Sequence, residues 1–249
     1  MKQILTAALL AFAAAYCGAA MAQKDEAQPG AEAREIWRDA AAEIEGAKSF
    51  SATASLAYDV VQPSGRKLQF GAEYQIKAVR PNKFYAGITS DDGRENQLYY
   101  DGQNITLVNI NEKLYAQFPH EGSIESAVDV VLNELDAVMP LSVLVRGNLR
   151  AALEARFPYN AYVGRHGASG MDADHLLMSN DYVDLQLWID DSNAPRVRKA
   201  VITYKTEDAA PQYAAVFSDW KLNKKIKDSE FSFDPSDGFD EIEFLEAQN

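Results

Sequence analysis

Cysteine is almost missing from this chain of 249 residues: there is one, Cys17, and it lies in an N-terminal stretch that reads as an export signal. No disulfide can hold the mature fold together, so core packing must do so alone. Histidine is nearly as scarce, with only His120, His166 and His175. Positive charge is in short supply too. With 24 Lys and Arg against 37 Asp and Glu, the formal charge is −13. Nucleic acid is therefore a poor partner, because phosphate binding is driven by clustered cations that release counterions. An anionic membrane surface is disfavoured on the same ground.

The signal itself occupies residues 1–22. Lys2 gives a positive start, and Ile4 to Ala15 form an apolar run too short to span a bilayer. Ala20-Met21-Ala22 then supplies a small-x-small cleavage site. Cleavage near Ala22 removes Lys2, the only charged residue of the segment, and takes the net charge from −13 to −14. A lipid anchor on Cys17 would need small residues just before it, and bulky Tyr16 fills the last of those slots. A soluble exported protein is expected in preference to a lipoprotein.

What the chain does contain is enough for a real core, with 47% apolar and 10% aromatic residues. Residues 23–30 form a polar leader, and 31–249 read as one domain. Ile36, Trp37, Ala40, Ala41 and Ile44 make the apolar stripe of a helix over 31–46, which Gly46 ends. Period-two alternation then takes over. Strands are expected at 51–61, 68–78, 83–89, 97–100, 104–110 and 114–118, without a helix between them, which excludes a parallel βαβ design.

The period switches at Ser123, a plausible N-cap. Ile124, Val128, Val131, Leu132, Leu135, Val138 and Met139 form one apolar face, Pro140 interrupts it, and further short helices fill 141–157. Strands resume at 159–164 and 174–178. The clearest run follows, at 183–190, 197–205 and 213–222, where Val183, Leu185, Leu187 and Ile189 share one face. Phe231, Phe233, Ile242 and Phe244 suggest that the tail packs back as an edge. The expected fold class is α+β: a long antiparallel sheet of about 11 strands with one apolar face that needs a cover. The N-terminal helix and the insertion at about 123–157 are the elements able to cover it, and a shell with such lids either packs solid or leaves a pocket.

Catalytic and metal signatures are weak. Asp172, Asp174 and His175 are close in sequence, but on a strand at 174–178 Asp174 and His175 face opposite ways, and Asp172 precedes it. Gly167-Ala168-Ser169-Gly170 misses the Gly-x-Ser-x-Gly spacing of a serine hydrolase and falls between two strands. Asp91-Asp92-Gly93 and Asp234-Pro235-Ser236-Asp237-Gly238 lack the ligand spacing of a calcium loop and read as turns. No catalytic residue, metal or cofactor is expected.

The runs Leu185-Gln186-Leu187-Trp188-Ile189-Asp190, Pro195-Arg196-Val197-Arg198-Lys199, Val201-Ile202-Thr203-Tyr204-Lys205 and Ser218-Asp219-Trp220 resemble the DUF2092 family of exported bacterial proteins. Tyr99-Tyr100-Asp101-Gly102, Tyr162-Val163-Gly164 and Asp174-His175-Leu176 fit the same pattern. That family is similar to the LolA/LppX-like lipoprotein-carrier superfamily. The resemblance implies a large, incompletely closed antiparallel β-barrel with the N-terminal helix and the inserted helices as a lid over an apolar cavity that takes acyl chains, in the periplasm of the Gram-negative envelope. The expected function is non-catalytic binding or carriage of lipid acyl chains or lipoproteins. An envelope sensor that engages an inner- or outer-membrane protein is the alternative, and a hydrolase is third. The candidate cavity and lid residues are Phe70, Tyr74, Tyr100, Val128, Leu132, Leu135, Met139, Leu144, Leu187 and Phe217.

Overall fold

The computed structural model describes residues 30–133, 141–168, 170–235 and 238–243. The export signal, the leader up to Pro29, and Leu135, Val138, Met139, Ser169 and Phe244 lie outside the described residues.

Twelve strands form one sheet. They are β1 (Ser49–Val61), β2 (Lys67–Val79), β3 (Lys83–Ser90), β4 (Glu95–Tyr100), β5 (Asn104–Asn109) and β6 (Leu114–Pro119), then β7 (Tyr159–Ala168), β8 (Met171–Ser179), β9 (Val183–Ile189), β10 (Val197–Tyr204), β11 (Gln212–Leu222) and β12 (Asp240–Glu241). Two antiparallel meanders, β1 to β6 and β7 to β11, are joined by the pairing of β1 with β11. The two-residue β12 adds to β6 in parallel, so the tail does supply an edge. Strands β7 and β12 end the sheet without meeting, which leaves the barrel open.

The elements follow from composition. In β9 the buried residues are Val183, Leu185, Leu187 and Ile189, with Asp184, Gln186 and Trp188 turned to the other face. This is the alternation of a sheet with one apolar side. The inner positions of several strands are alanines, among them Ala52, Ala54, Ala72, Ala86, Ala200 and Ala215, all buried. Short side chains there leave depth for what packs over them. Three helices do so: α1 (Gly30–Gly46), α2 (Ile124–Asn133) and α3 (Leu149–Arg156), with a 3-10 turn at Ser142–Leu144. The buried stripe of α1 is Ala33, Trp37, Ala40, Ala41 and Ile44, and that of α2 is Ile124, Ala127, Val128 and Val131. These stripes join the inner faces of β1 to β5 and β8 to β11 in one core.

On the outer face the C-terminal segment covers β4 to β6. Phe233 packs on Tyr99, Tyr115 and Phe239 with ring centroids 5.9, 5.5 and 5.0 Å apart. Burial, with smaller contributions from Tyr85 and Glu95, pushes the Tyr99 phenol up to about 12.

One expectation is corrected. Strands β7 and β8 run well past Gly164 and begin well before Asp174, pairing down to Ala168 with Met171. Gly167 and Ala168 are therefore strand, and Asp172 lies within β8 on the same side as Asp174. The polar and glycine-rich composition hides this hairpin, which backbone pairing and a bulge between Tyr162 and Gly164 sustain.

Candidate functional site

The sheet has two ends. At the upper end β1 finishes at Val61 and β2 starts at Lys67, while at the lower end β1 starts at Ser49 opposite Val79. The helices are fastened at the lower end by Arg80. Its guanidinium donates to the carbonyls of Val145 at 2.8 Å, Arg146 at 3.2 Å and Ile44 at 3.5 Å. One side chain thus holds the C-terminus of α1 and the stretch after the 3-10 turn. The first backbone N–H of α2, at Ile124, bonds the Pro81 carbonyl beside it at 2.9 Å.

Most expected cavity residues are found together. Tyr74, Tyr100, Val128, Leu144, Leu187 and Phe217 are buried in the one core, and Leu132 is partly buried against it. The same core includes the buried stripe of α1, and Tyr100 donates its hydroxyl to the Gly122 carbonyl at 2.9 Å. Phe70 differs, being 44% exposed. Leu135 and Met139 lie outside the described residues.

The exposure of Phe70 is not isolated. Along β2, Leu68, Phe70, Ala72, Tyr74 and Ile76 share the inner face, but burial begins only at Ala72. Leu68 is 48% exposed, and its cross-strand partner Val60 on β1 is 38% exposed. Phe70 stands opposite Tyr58, with ring centroids 6.1 Å apart. So the inner apolar face continues upward from the core and emerges uncovered at Val60, Leu68 and Phe70, with half-buried Tyr58 linking them to the core. Apolar residues aligned in this way on one face mark a contact surface more strongly than scattered ones do. Sequence reading selected Phe70 and missed Val60, Leu68 and Tyr213. The signal was present, because all three lie on the same strand parity as buried neighbours.

Level with this patch and four residues below it stand two phenols with no partner. The hydroxyls of Tyr74 and Tyr213 are buried and make no hydrogen bond; among the described residues the only other such side-chain atom is Nε of Arg80. Tyr213 pairs with Tyr58 across β1 and β11, and Tyr74 pairs with Ala54, four residues further down β1. Burial pushes the Tyr74 phenol well above its ordinary range. Tyr213 is raised by burial first, then by the neighbouring hydroxyls of Tyr74, Tyr204 and Tyr58. Both are therefore neutral donors at any physiological pH. A buried hydroxyl without a partner costs about 1–3 kcal/mol, and the inner face of the sheet carries two.

The remaining chemistry is dispersed. His175 stacks on Trp188 at 4.0 Å, contacts His166 at 3.2 Å and Gln186 at 3.0 Å, and sits on the outer face. Asp174 accepts from Tyr162 at 3.0 Å and pairs with Arg165 at 3.5 Å, away from the histidines. His120 bonds Ser126 at 2.9 Å. Among the described residues no three His, Cys, Asp or Glu converge on one point. Two surface clefts, of about 470 and 540 Å³, both open at the lower end. The first is mainly apolar, with Lys48, Arg80, Lys224 and Lys225 among its lining, and the second is mainly polar, with Lys83, Asp101 and Glu121.

Comparison with known proteins identifies the family. The family model described as "Predicted periplasmic protein (DUF2092)" matches residues 33–245. No protein of curated function matches the sequence significantly. Among solved structures, an uncharacterised conserved protein of Thermus thermophilus is 10% identical with a TM-score of 0.47, over 85% of this chain and 99% of that one. The lipoprotein LppX of Mycobacterium tuberculosis is 13% identical with a TM-score of 0.46, over 79% and 97%. LprF of Mycobacterium bovis is 11% identical with a TM-score of 0.44, over 76% and 92%. At these identities no residue is carried across from any of them.

Proposed function

From the premise that this chain belongs to the DUF2092 family, described as predicted periplasmic proteins, we propose that it is a non-catalytic binding protein for the acyl chains of lipids or lipoproteins. The observation that carries the proposal is the unbroken apolar path at the upper end. It runs from exposed Leu68, Phe70 and Val60 along the inner face to buried Tyr74, Leu187 and Phe217.

A linear hydrocarbon is the guest this path suits. Burying an acyl chain stabilises it by about 0.8 kcal/mol per methylene relative to water. Relative to a bilayer that gain nearly vanishes, since the chain is buried there as well. A carrier of this design is tuned by what the guest displaces: the self-packing of Val128, Leu132 and their neighbours over the alanine-lined inner face. Uncovered Leu68 and Phe70 provide the first contact, and the core provides the depth.

A hydrophobic fluorescent fatty acid should bind the purified exported protein at one saturable site and be displaced by unlabelled acyl chains. Phe70→Asp should weaken uptake while the fold is retained. Absence of saturable uptake by the wild-type protein, together with no lipid in its organic extract, would overturn the proposal.

A further inference from the structure

Resting on the acyl-chain reading above, we propose that the buried hydroxyls of Tyr74 and Tyr213 form a donor site for a neutral carbonyl oxygen, the ester or amide that joins an acyl chain to its carrier group. Both hydroxyls are buried without a partner, and Tyr74 is only 3% exposed. Such atoms are rare in a well-packed interior and call for an explanation. Other buried polar side chains here show what satisfaction looks like: Trp37 bonds Asn160, and Asp190 bonds Ser192.

Position ties the two phenols to the entry path. Tyr74 lies four residues along β2 from Phe70, on the same face, with Ala72 between them. Tyr213 on β11 pairs with Tyr58 on β1, the ring that packs on Phe70. A chain entering past Leu68 and Phe70 meets these hydroxyls before it reaches the deeper core.

Chemistry narrows the guest. A phenol can donate to any oxygen, but the electrostatic surroundings select among them. Burial alone accounts for the shift of Tyr74, and the neighbours that act on Tyr213 are three other tyrosines. A carboxylate or phosphate here would be a buried charge without a cation, which is strongly unfavourable. An ester or amide carbonyl needs only donors, and each phenol supplies one.

The test compares three guests of equal chain length, methyl laurate, laurate and dodecane, on the purified exported protein and on Tyr74→Phe, Tyr213→Phe and the double variant. The phenylalanine variants keep ring and packing, and they remove a hydroxyl that has no partner, so they should fold at least as stably as wild type. Wild type should bind methyl laurate more tightly than either laurate or dodecane. Each single substitution should weaken methyl laurate by about two- to tenfold, and the double variant should bind the ester no better than dodecane, with dodecane itself unaffected. Unchanged affinities in all variants, as expected if the hydroxyls hold only water, would overturn the donor site and leave acyl binding standing. Tighter binding of laurate than of its ester would overturn the neutral-carbonyl assignment. Failure of wild type to bind any of the three would overturn both readings.

Discussion

Trp37 donates its indole N–H to the side-chain oxygen of Asn160 at 2.8 Å, across 123 positions of sequence and with both partners buried. The amide of Asn160 in turn donates to the Phe157 carbonyl at 3.0 Å, just past the end of α3. One residue at the start of β7 therefore holds α1 and α3 to the sheet. Asn160→Ala should destabilise the protein by about 1–3 kcal/mol, because the indole N–H is left buried and unpaired. Urea unfolding followed by tryptophan fluorescence measures this. In a Trp37→Phe background the same substitution should cost less, and equal costs in the two backgrounds would contradict the link.

Arg80 is the matching clamp at the lower end. Burial lowers the affinity of its guanidinium for the proton, and Glu125 and Glu45 oppose that effect. Arg80→Ala should cost about 2–3 kcal/mol through lost charge-assisted bonds to Val145, Arg146 and Ile44. Arg80→Lys should recover little, since an ammonium has no fork to span three carbonyls. Hydrogen exchange should show the loss of protection first at Val145–Gly147 and at the end of α1.

Leu68 and Phe70 should separate binding from stability. Both are close to half exposed, so Leu68→Ser and Phe70→Ser should change unfolding free energy by no more than about 0.5 kcal/mol, yet weaken acyl-chain uptake. Leu187 is 6% exposed, and Leu187→Ala should cost about 2–5 kcal/mol. Equal stability losses at the three positions, read from denaturant midpoints, would show that the upper patch is structural core.

Acid stability should report two groups in different pH windows. Burial alone would raise the Asp190 carboxyl, but bonds from Ser192 and Arg198, both 2.6 Å, and the Arg198 charge outweigh it and hold it below its ordinary value. A carboxylate lowered in the folded state contributes stability that is fully present above its unfolded value. That stability is lost as pH falls through the folded value. Asp190→Asn should therefore flatten the loss of stability below about pH 4. His175 is lowered chiefly by burial, so its neutral form is the folded one and stability should decline as pH falls from 6.5. His175→Phe should remove that upper window and leave the lower one.

Much of the fold was legible because β9, β1 and β2 alternate over most of their length, and α1 carries a single apolar stripe. The β7–β8 hairpin was legible only in part, since Gly164, Gly167, Asp172 and Asp174 give no alternation and the pairing there rests on backbone bonds. Phe70 could be chosen from its parity, but parity does not tell a covered ring from an uncovered one. That depends on where α1 and α2 stop covering the inner face, a tertiary fact. The unpartnered state of Tyr74 and Tyr213 was invisible for the same reason, because a tyrosine on a strand usually finds a partner.

The most direct measurement of the central claim is native mass spectrometry of the protein taken from its own periplasm, with an organic extract analysed in parallel. Acyl-lipid binding predicts adduct masses that solvent extraction removes, with the released species carrying an ester- or amide-linked chain. Protein at its bare mass, with no acyl species in the extract and a stable protein partner in its place, would contradict the account.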